Sequence, residues 1–229
     1  MIRPWLLSLS FVVFALLPAQ DLWAQQFQYP IRGDDGALVA NHRVSAELTH
    51  KLKELTGAVV AGNPRGSITL YEFYDLNCPY CRVASADIHE ILSEEKRLRL
   101  VLVPYPVLGI PSIEAGRIEL AVAKVASPET FYEFHRKIFA GRGVVDARRA
   151  ATVVRDLNLD IAKLTKAVQD DSIIETMKAH ARLGGELGLM ATPGFVIGDV
   201  AIVGYPGKKT LRSIIQAVGR CRQVVCRAG

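Results

Sequence analysis

Cysteine is scarce in this 229-residue chain: four residues, at positions 78, 81, 221 and 226. Four are too few for a scaffold built from disulfides, so each pair needs a local reason: redox chemistry, a metal, or one structural bridge. Methionine is scarcer still, at three, and no methionine or histidine cluster of the kind that suits Cu(I) accompanies the cysteines. Basic residues interleaved with aromatics are missing too. The formal charge of +5 is spread along the chain, a mild surface bias that argues against nucleic acid as a partner. No internal repeat or low-complexity tract occurs. The one long apolar stretch, Trp5 to Ala19, falls short of the roughly 20 residues that span a bilayer, and polar Gln20 and Asp21 follow it.

That stretch reads instead as an address. Arg3 supplies a positive start, and Leu22-Trp23-Ala24 ends in the small residue that signal peptidase favours. Residues 1–24 are therefore expected to be a signal peptide, cleaved after Ala24. Every cysteine lies at 78 or beyond, so none is available for lipid attachment at the new N-terminus. The expectation is a mature protein that is soluble in the periplasm or another extracytoplasmic, oxidising compartment.

Residues 25–57 read as a polar, turn-rich segment followed by one helix. Val44, Leu48, Leu52 and Leu55 recur at helical spacing, and this stripe either docks on the parent domain or pairs between chains in a homo-oligomer. Residues 58–229 read as one α/β domain, the apolar fraction of 50% being ample for a core. Ile68 to Tyr74 is a strand rich in β-branched and aromatic residues that leads directly to Cys78. A helix follows, with Pro79 in its first turn and Ala84, Ile88, Ile91 and Leu92 on one face. Leu98 to Val103 is a second strand, apolar enough to be buried on both sides, and Pro104 to Pro106 stops it.

From about 107 to 189 the pattern is helical. Ile113 to Val125 is followed by a helix capped by Ser127 with Pro128 in its first turn; Asp146 and Asp160 open two more, the last continuing toward Met177 and Leu183. After Pro193, Phe195-Val196-Ile197 and Val200 to Val203 flank Gly198-Asp199 as a hairpin. Leu211, Ile214, Ile215 and Val218 then mark a closing helix. The order is β-α-β, a helical block, β-β-α, with the block inserted into one domain because the hairpin needs the first two strands as neighbours.

The chemistry lies in Cys78-Pro79-Tyr80-Cys81. Two cysteines separated by two residues in the first turn of a helix can close a small disulfide ring. The upstream sulfur sits where unsatisfied N–H groups and the helix dipole stabilise a thiolate, so Cys78 is the expected nucleophile and Cys81, one turn in, the resolving thiol. Half a zinc site is the other use of such a pair. It needs two more ligands, and Cys221 and Cys226, separated by four residues near the end of the chain, suit that role poorly; no metal is expected. Cys221 and Cys226 lie at the end of the last helix, where a turn would let their sulfurs meet, and are expected to form a structural disulfide. Glu72 either faces solvent on its strand or lies buried, where its pKa would rise and it could accept the Cys81 proton. His135 has no partner motif and reads as a packing or surface residue.

The segment Glu72 to Arg82, with Cys78-Pro79-Tyr80-Cys81 within it, resembles the active-site segment of the DsbA-like thiol-disulfide oxidoreductases. Pro106-Val107-Leu108-Gly109 with Ser112 and Ala115 resembles that family's link into its helical insertion. Phe134-His135 falls in its helical block, and Ala191-Thr192-Pro193-Gly194-Phe195-Val196-Ile197-Gly198 resembles its cis-proline loop. The likeness runs from about Gly62 to Val218. It implies a thioredoxin-like fold, a central mixed sheet with flanking helices carrying the inserted helical block, and an enzyme that forms, isomerises or reduces disulfides without a bound cofactor. It implies that Pro193 is cis beside the Cys78 sulfur, that Thr192 offers its backbone to an extended substrate, and that Glu72 is the buried acid beneath the disulfide. Clients would be unfolded or misfolded exported proteins, with a membrane redox partner. The direction of electron flow is tuned by Pro79, Tyr80 and Thr192 and stays open. The alternative from another class is a periplasmic copper carrier on a thioredoxin-like fold, with Cys78 and Cys81 as soft ligands.

Overall fold

The computed structural model describes residues 27–226; the signal peptide and the cleavage point after Ala24 lie outside them. In chain order the elements are β1 (Asn41–Arg43), α1 (Ala46–Lys53), β2 (Val59–Gly62), β3 (Ile68–Tyr74), α2 (Pro79–Glu94), β4 (Leu98–Pro104), α3 (Ile110–Val125), α4 (Pro128–Ala140), α5 (Ala147–Asp156), α6 (Ile161–Val168), α7 (Asp171–Glu186), β5 (Gly194–Ile197), β6 (Val200–Val203) and α8 (Lys208–Cys221). The strands form one sheet in the order β1-β6-β5-β3-β4-β2. Only β3 and β4 are parallel, because the α2 crossover joins them. Thioredoxin-like folding is thus realised with α2 on one sheet face and the helical block between β4 and β5.

Alternation along the strands sorts the core into two faces. Leu70, Tyr74, Leu100, Leu102, Phe195 and Ile197 meet Ala84, Ile88 and Ile91 of α2 and Leu211, Ile214 and Ile215 of α8. Phe73, Val101, Val103 and Val196 meet Leu52 of α1 and Leu183 of α7 on the other face. The apolar stripe expected to dock or dimerise is used within the chain: Val44 and Leu52 are buried in this second cluster and Leu48 and Leu55 pack against it.

Three expectations are corrected. The helix near residue 44 starts only at Ala46, because the Ser45 side chain accepts from the Leu48 N–H and caps it; Val44 precedes it. The expected order lacked β1 and β2. Asn41-His42-Arg43 is wholly polar and acquires strand geometry only by pairing with β6, and β2 by pairing with β4; neither run carries a periodicity of its own. The helix expected to run from Asp160 toward Leu183 is two helices: the first stops at Val168 with Gln169 as its C-cap, and Asp170 accepts from the Ser172 N–H to cap the second. The hairpin loop at Gly198-Asp199 works because Gly198 takes φ 61°, a conformation that costs glycine little. Among the described residues no helix is long and apolar enough to cross a membrane.

Candidate active site

β3 ends at Tyr74, and two polar side chains, Asp75 and Asn77, hold the turn from strand to helix. Asp75 is buried, yet its carboxylate is fully engaged. It accepts from the Asn77 N–H at 2.7 Å and the Ser112 hydroxyl at 2.7 Å, and from the N–H groups of Val107 at 2.8 Å and Leu108 at 2.9 Å. Asn77 donates to Ser112 Oγ and to the Val145 carbonyl and accepts from the Val145 N–H at 2.8 Å. The residues just before Cys78 are thereby locked to the loop after β4, to α3 and to the start of α5.

Cys78 occupies the N-cap of α2, with Pro79 at the first helical position, where a missing N–H costs nothing. Its sulfur accepts from the Cys81 N–H at 3.3 Å. When protonated it donates to the Thr192 carbonyl at 3.1 Å. The Cys78 pKa is lowered to about 6. A hydrogen bond from the Cys81 thiol contributes most; burial opposes it, and the Thr192 side chain and the N–H groups of Cys81 and Tyr80 assist. Cys81 is fully buried, and burial, followed by its bond to Cys78, pushes its thiol far above the ordinary range. The two sulfurs are unbonded to each other. One ionisable sulfur at the helix end and one protonated sulfur beneath it is the arrangement that asymmetric thiol exchange requires.

The Thr192-Pro193 bond is cis, Pro193 is buried and Thr192 half-buried beside Cys78. Glu72 is 1% exposed, which removes the solvent-facing reading, and neither carboxyl oxygen has a hydrogen-bond partner. Burial, then the nearby Cys78 charge, raises its pKa to about 8. Pro79 and Tyr80 face outward, Tyr80 being 66% exposed. Exposed apolar side chains occur on the segments that meet this turn: Tyr80 between the cysteines, Val107 and Leu108 whose N–H groups bind Asp75, Val144 next to Val145, and Met190 two residues before Thr192.

Cys221 and Cys226 are disulfide-bonded. They lie beyond Gly219, which abuts Ile68 at the start of β3, so about 20 Å of strand separates them from the Cys78 end. His135 is buried against Tyr74, ring centroids 4.6 Å apart, and burial lowers its pKa to about 3. Sequence reasoning did not assign roles to Asp75, Asn77, Tyr74 or Glu119. The Asp-x-Asn spacing before the helix was a usable turn signal for the first two; the Tyr74 hydroxyl donating to Glu119 at 2.7 Å had none, since 45 residues separate the partners. Among the described residues no group of three or more His, Cys, Asp or Glu side chains gathers as metal ligands, and no observation favours the copper-carrier reading.

A family model described as thioredoxin matches residues 54–217. A thioredoxin-like oxidoreductase from Silicibacter pomeroyi DSS-3 is 30% identical, with 75% of this chain and 96% of that one covered at a TM-score of 0.67. The thiol-disulfide exchange protein alpha-DsbA2 from Wolbachia pipientis superposes with a TM-score of 0.69 at 23% identity, covering 76% of this chain and 92% of that one. Disulfide bond formation protein D of Bacillus subtilis (strain 168) is 22% identical over 175 residues, 71% of this chain and 77% of its own length.

Proposed function

Because the chain belongs to the thioredoxin family, among its DsbA-like thiol-disulfide oxidoreductases, we propose that it exchanges disulfides with exported client proteins through Cys78 and Cys81. The observation that carries this reading is the Cys78 sulfur at the N-cap of α2, taking the Cys81 N–H at 3.3 Å, a placement that lowers the pKa of its thiol to about 6.

In the reducing direction the Cys78 thiolate attacks a client sulfur, and the client's other sulfur leaves with its electron pair and takes up a proton. The Cys78–client bond is then broken by Cys81, whose proton passes to Glu72 in its carboxylate form as its sulfur attacks Cys78, releasing the second client thiol and closing the Cys78–Cys81 disulfide. The oxidising direction reverses each step: a client thiolate attacks Cys78 in the disulfide, Cys81 leaves and takes a proton from Glu72, and a second client thiolate displaces Cys78. The electrons then pass on to a membrane redox partner. Glu72 suits the relay because it is buried without a hydrogen bond and its titration near 8 allows it both to hold and to release a proton close to neutrality. Thr192 presents its carbonyl at the Cys78 sulfur, where an extended client backbone can align. The exposed apolar side chains of Tyr80, Val107, Leu108, Val144 and Met190 suit unfolded clients, whose apolar side chains are exposed.

The test is to trap the mixed disulfide. Cys81→Ser, incubated with a reducible unfolded substrate, should accumulate an adduct through Cys78 that mass spectrometry maps. Absence of any adduct sinks the assigned roles. Equilibration of the purified protein in glutathione buffers then gives the poise: a strongly oxidising potential supports disulfide donation, and a strongly reducing one supports isomerisation or reduction.

A further inference from the structure

The charges on α2 are sorted by face. Asp87, Glu90 and Glu94 turn toward α8, where Lys208 pairs with the first two and Arg212 with the third. On another face Cys78, Arg82, Ser85 and His89 follow one another at spacings of four, three and four, which lines them up along the helix. α4 packs beside that stripe, through the Phe139 carbonyl on Arg82 and the Tyr132 hydroxyl on His89. Between the two helices is a cavity of about 300 Å³, lined by Arg82, Ser85 and His89 of α2 and by Arg136 and Phe139 of α4.

This cavity gathers positive charge that no carboxylate balances. Arg136 is exposed, and among the described residues neither it nor Arg82 forms an ion pair. Arg82 donates Nη1 to the carbonyls of Phe139 and Gly141, where a cation suits the end of α4. Burial, then the Arg149 charge, lowers its pKa; burial, then the Arg136 charge, lowers that of His89. The acids close by are engaged or unpaired with these cations. Glu90 at the cavity edge binds Lys208, and Asp146 caps α5 through the Arg149 N–H. Glu133, one turn before Arg136, makes no ion pair among the described residues. A concave site carrying one sign of charge draws ligands of the other.

We propose that this cavity is a specificity site that takes a carboxylate of the disulfide-bearing client, an Asp or Glu side chain a few residues from the client cysteine. The inference rests on the exchange reading of Cys78 and Cys81 and names the clients which that pair prefers. Helix rise puts Arg82 roughly 6 Å and His89 roughly 16 Å from Cys78 along the α2 axis. An extended client covers about 3.3 Å per residue, so the carboxylate lies about two to five residues from the cysteine that Cys78 attacks. Arg136 meets it at the cavity mouth. A free anion would need no cysteine at the end of the site; the continuity of the stripe with Cys78 is what favours a client side chain.

The test uses the Cys81→Ser protein and two disulfide-bonded peptides that differ only at the third residue after one cysteine, Asp in one and Asn in the other. The rate of adduct formation at Cys78 is followed for each by mass spectrometry. At low salt the Asp peptide should react about two- to fivefold faster, the range that a part-exposed ion pair gives. That lead should shrink in about 0.5 M salt, where the screening length is only about 4 Å. Arg136→Gln removes an exposed charge that has no internal ion pair, and should bring the two rates together. Lys178→Gln removes the same charge from α7 and should keep the parental ratio. Equal rates in the parent, or a lead that survives Arg136→Gln, overturn the proposal. So does a lead of oxidised glutathione over neutral hydroxyethyl disulfide with no difference between the peptides, which would give the cavity to a small free disulfide. If neither peptide forms an adduct, the exchange reading itself fails, a result distinct from equal rates.

Discussion

At Cys78 the end of α2 and the Cys81 thiol hold a sulfur anion, whereas at Glu72 burial holds a carboxyl neutral, and the two titrations have opposite consequences for pH. The folded Cys78 pKa of about 6 lies below the roughly 8.5 of an unfolded cysteine. The reduced protein therefore releases this proton earlier than the unfolded chain does. The stability this contributes is fully present above the unfolded value and is lost as pH falls through about 6. Alkylation of Cys78 should fall over the same window, and a profile midpoint near that of free cysteine would contradict the helix-end account. Glu72 runs the other way, its folded pKa of about 8 standing above the roughly 4.3 of an unfolded glutamate. Its contribution is complete below the unfolded value and is lost as pH rises toward about 8. Glu72→Gln should thus gain stability relative to the parent across that interval in urea titrations, while resolving mixed disulfides more slowly. A variant that is less stable at every pH would show that Glu72 is held by partners the structure does not contain.

Between elements, the site is held by side chains that reach across the chain. Asn77 bonds Ser112 of α3 and both backbone groups of Val145 before α5, so it joins the active-site turn to two helices of the insertion. Asn77→Ala leaves the Val145 groups unpaired and should cost about 1–3 kcal/mol, read as a lower urea midpoint. His180 of α7 is fully buried, with its two ring nitrogens each 2.8 Å from a carbonyl, of Pro104 and of Thr56. It ties the end of β4 to the segment before β2. His180→Ala should cost a similar amount by removing the buried ring and the N–H it donates to one of these carbonyls. The Cys221–Cys226 bridge closes a sequence separation of 5 at the end of α8. Loop-closure entropy puts its worth at about 2 kcal/mol. Cys221→Ser with Cys226→Ser should lose that much while exchange through Cys78 continues at its parental rate; a lost rate would mean that this pair takes part in the redox cycle.

For the whole molecule, export is the property that the positive start, the apolar run and Ala24 argue for. Expressed with its leader, the protein recovered from the extracytoplasmic fraction should begin at Gln25 by N-terminal sequencing; recovery with residues 1–24 attached would remove that reading. The sequence by itself determined β3, α2 and β4, the capped starts of α4, α5 and α6, the final hairpin and α8, because each is specified by local periodicity, a capping side chain or turn chemistry. It also determined which two cysteines share the start of a helix, since that depends only on a spacing of three along one chain segment. Only the tertiary structure decided that Glu72 is buried without a partner, that Tyr74 meets Glu119, that Thr192 comes to the Cys78 sulfur, and that β1 and β2 are strands at all. Each of these is a contact between residues far apart in sequence, and burial and strand pairing arise from what the rest of the chain places alongside.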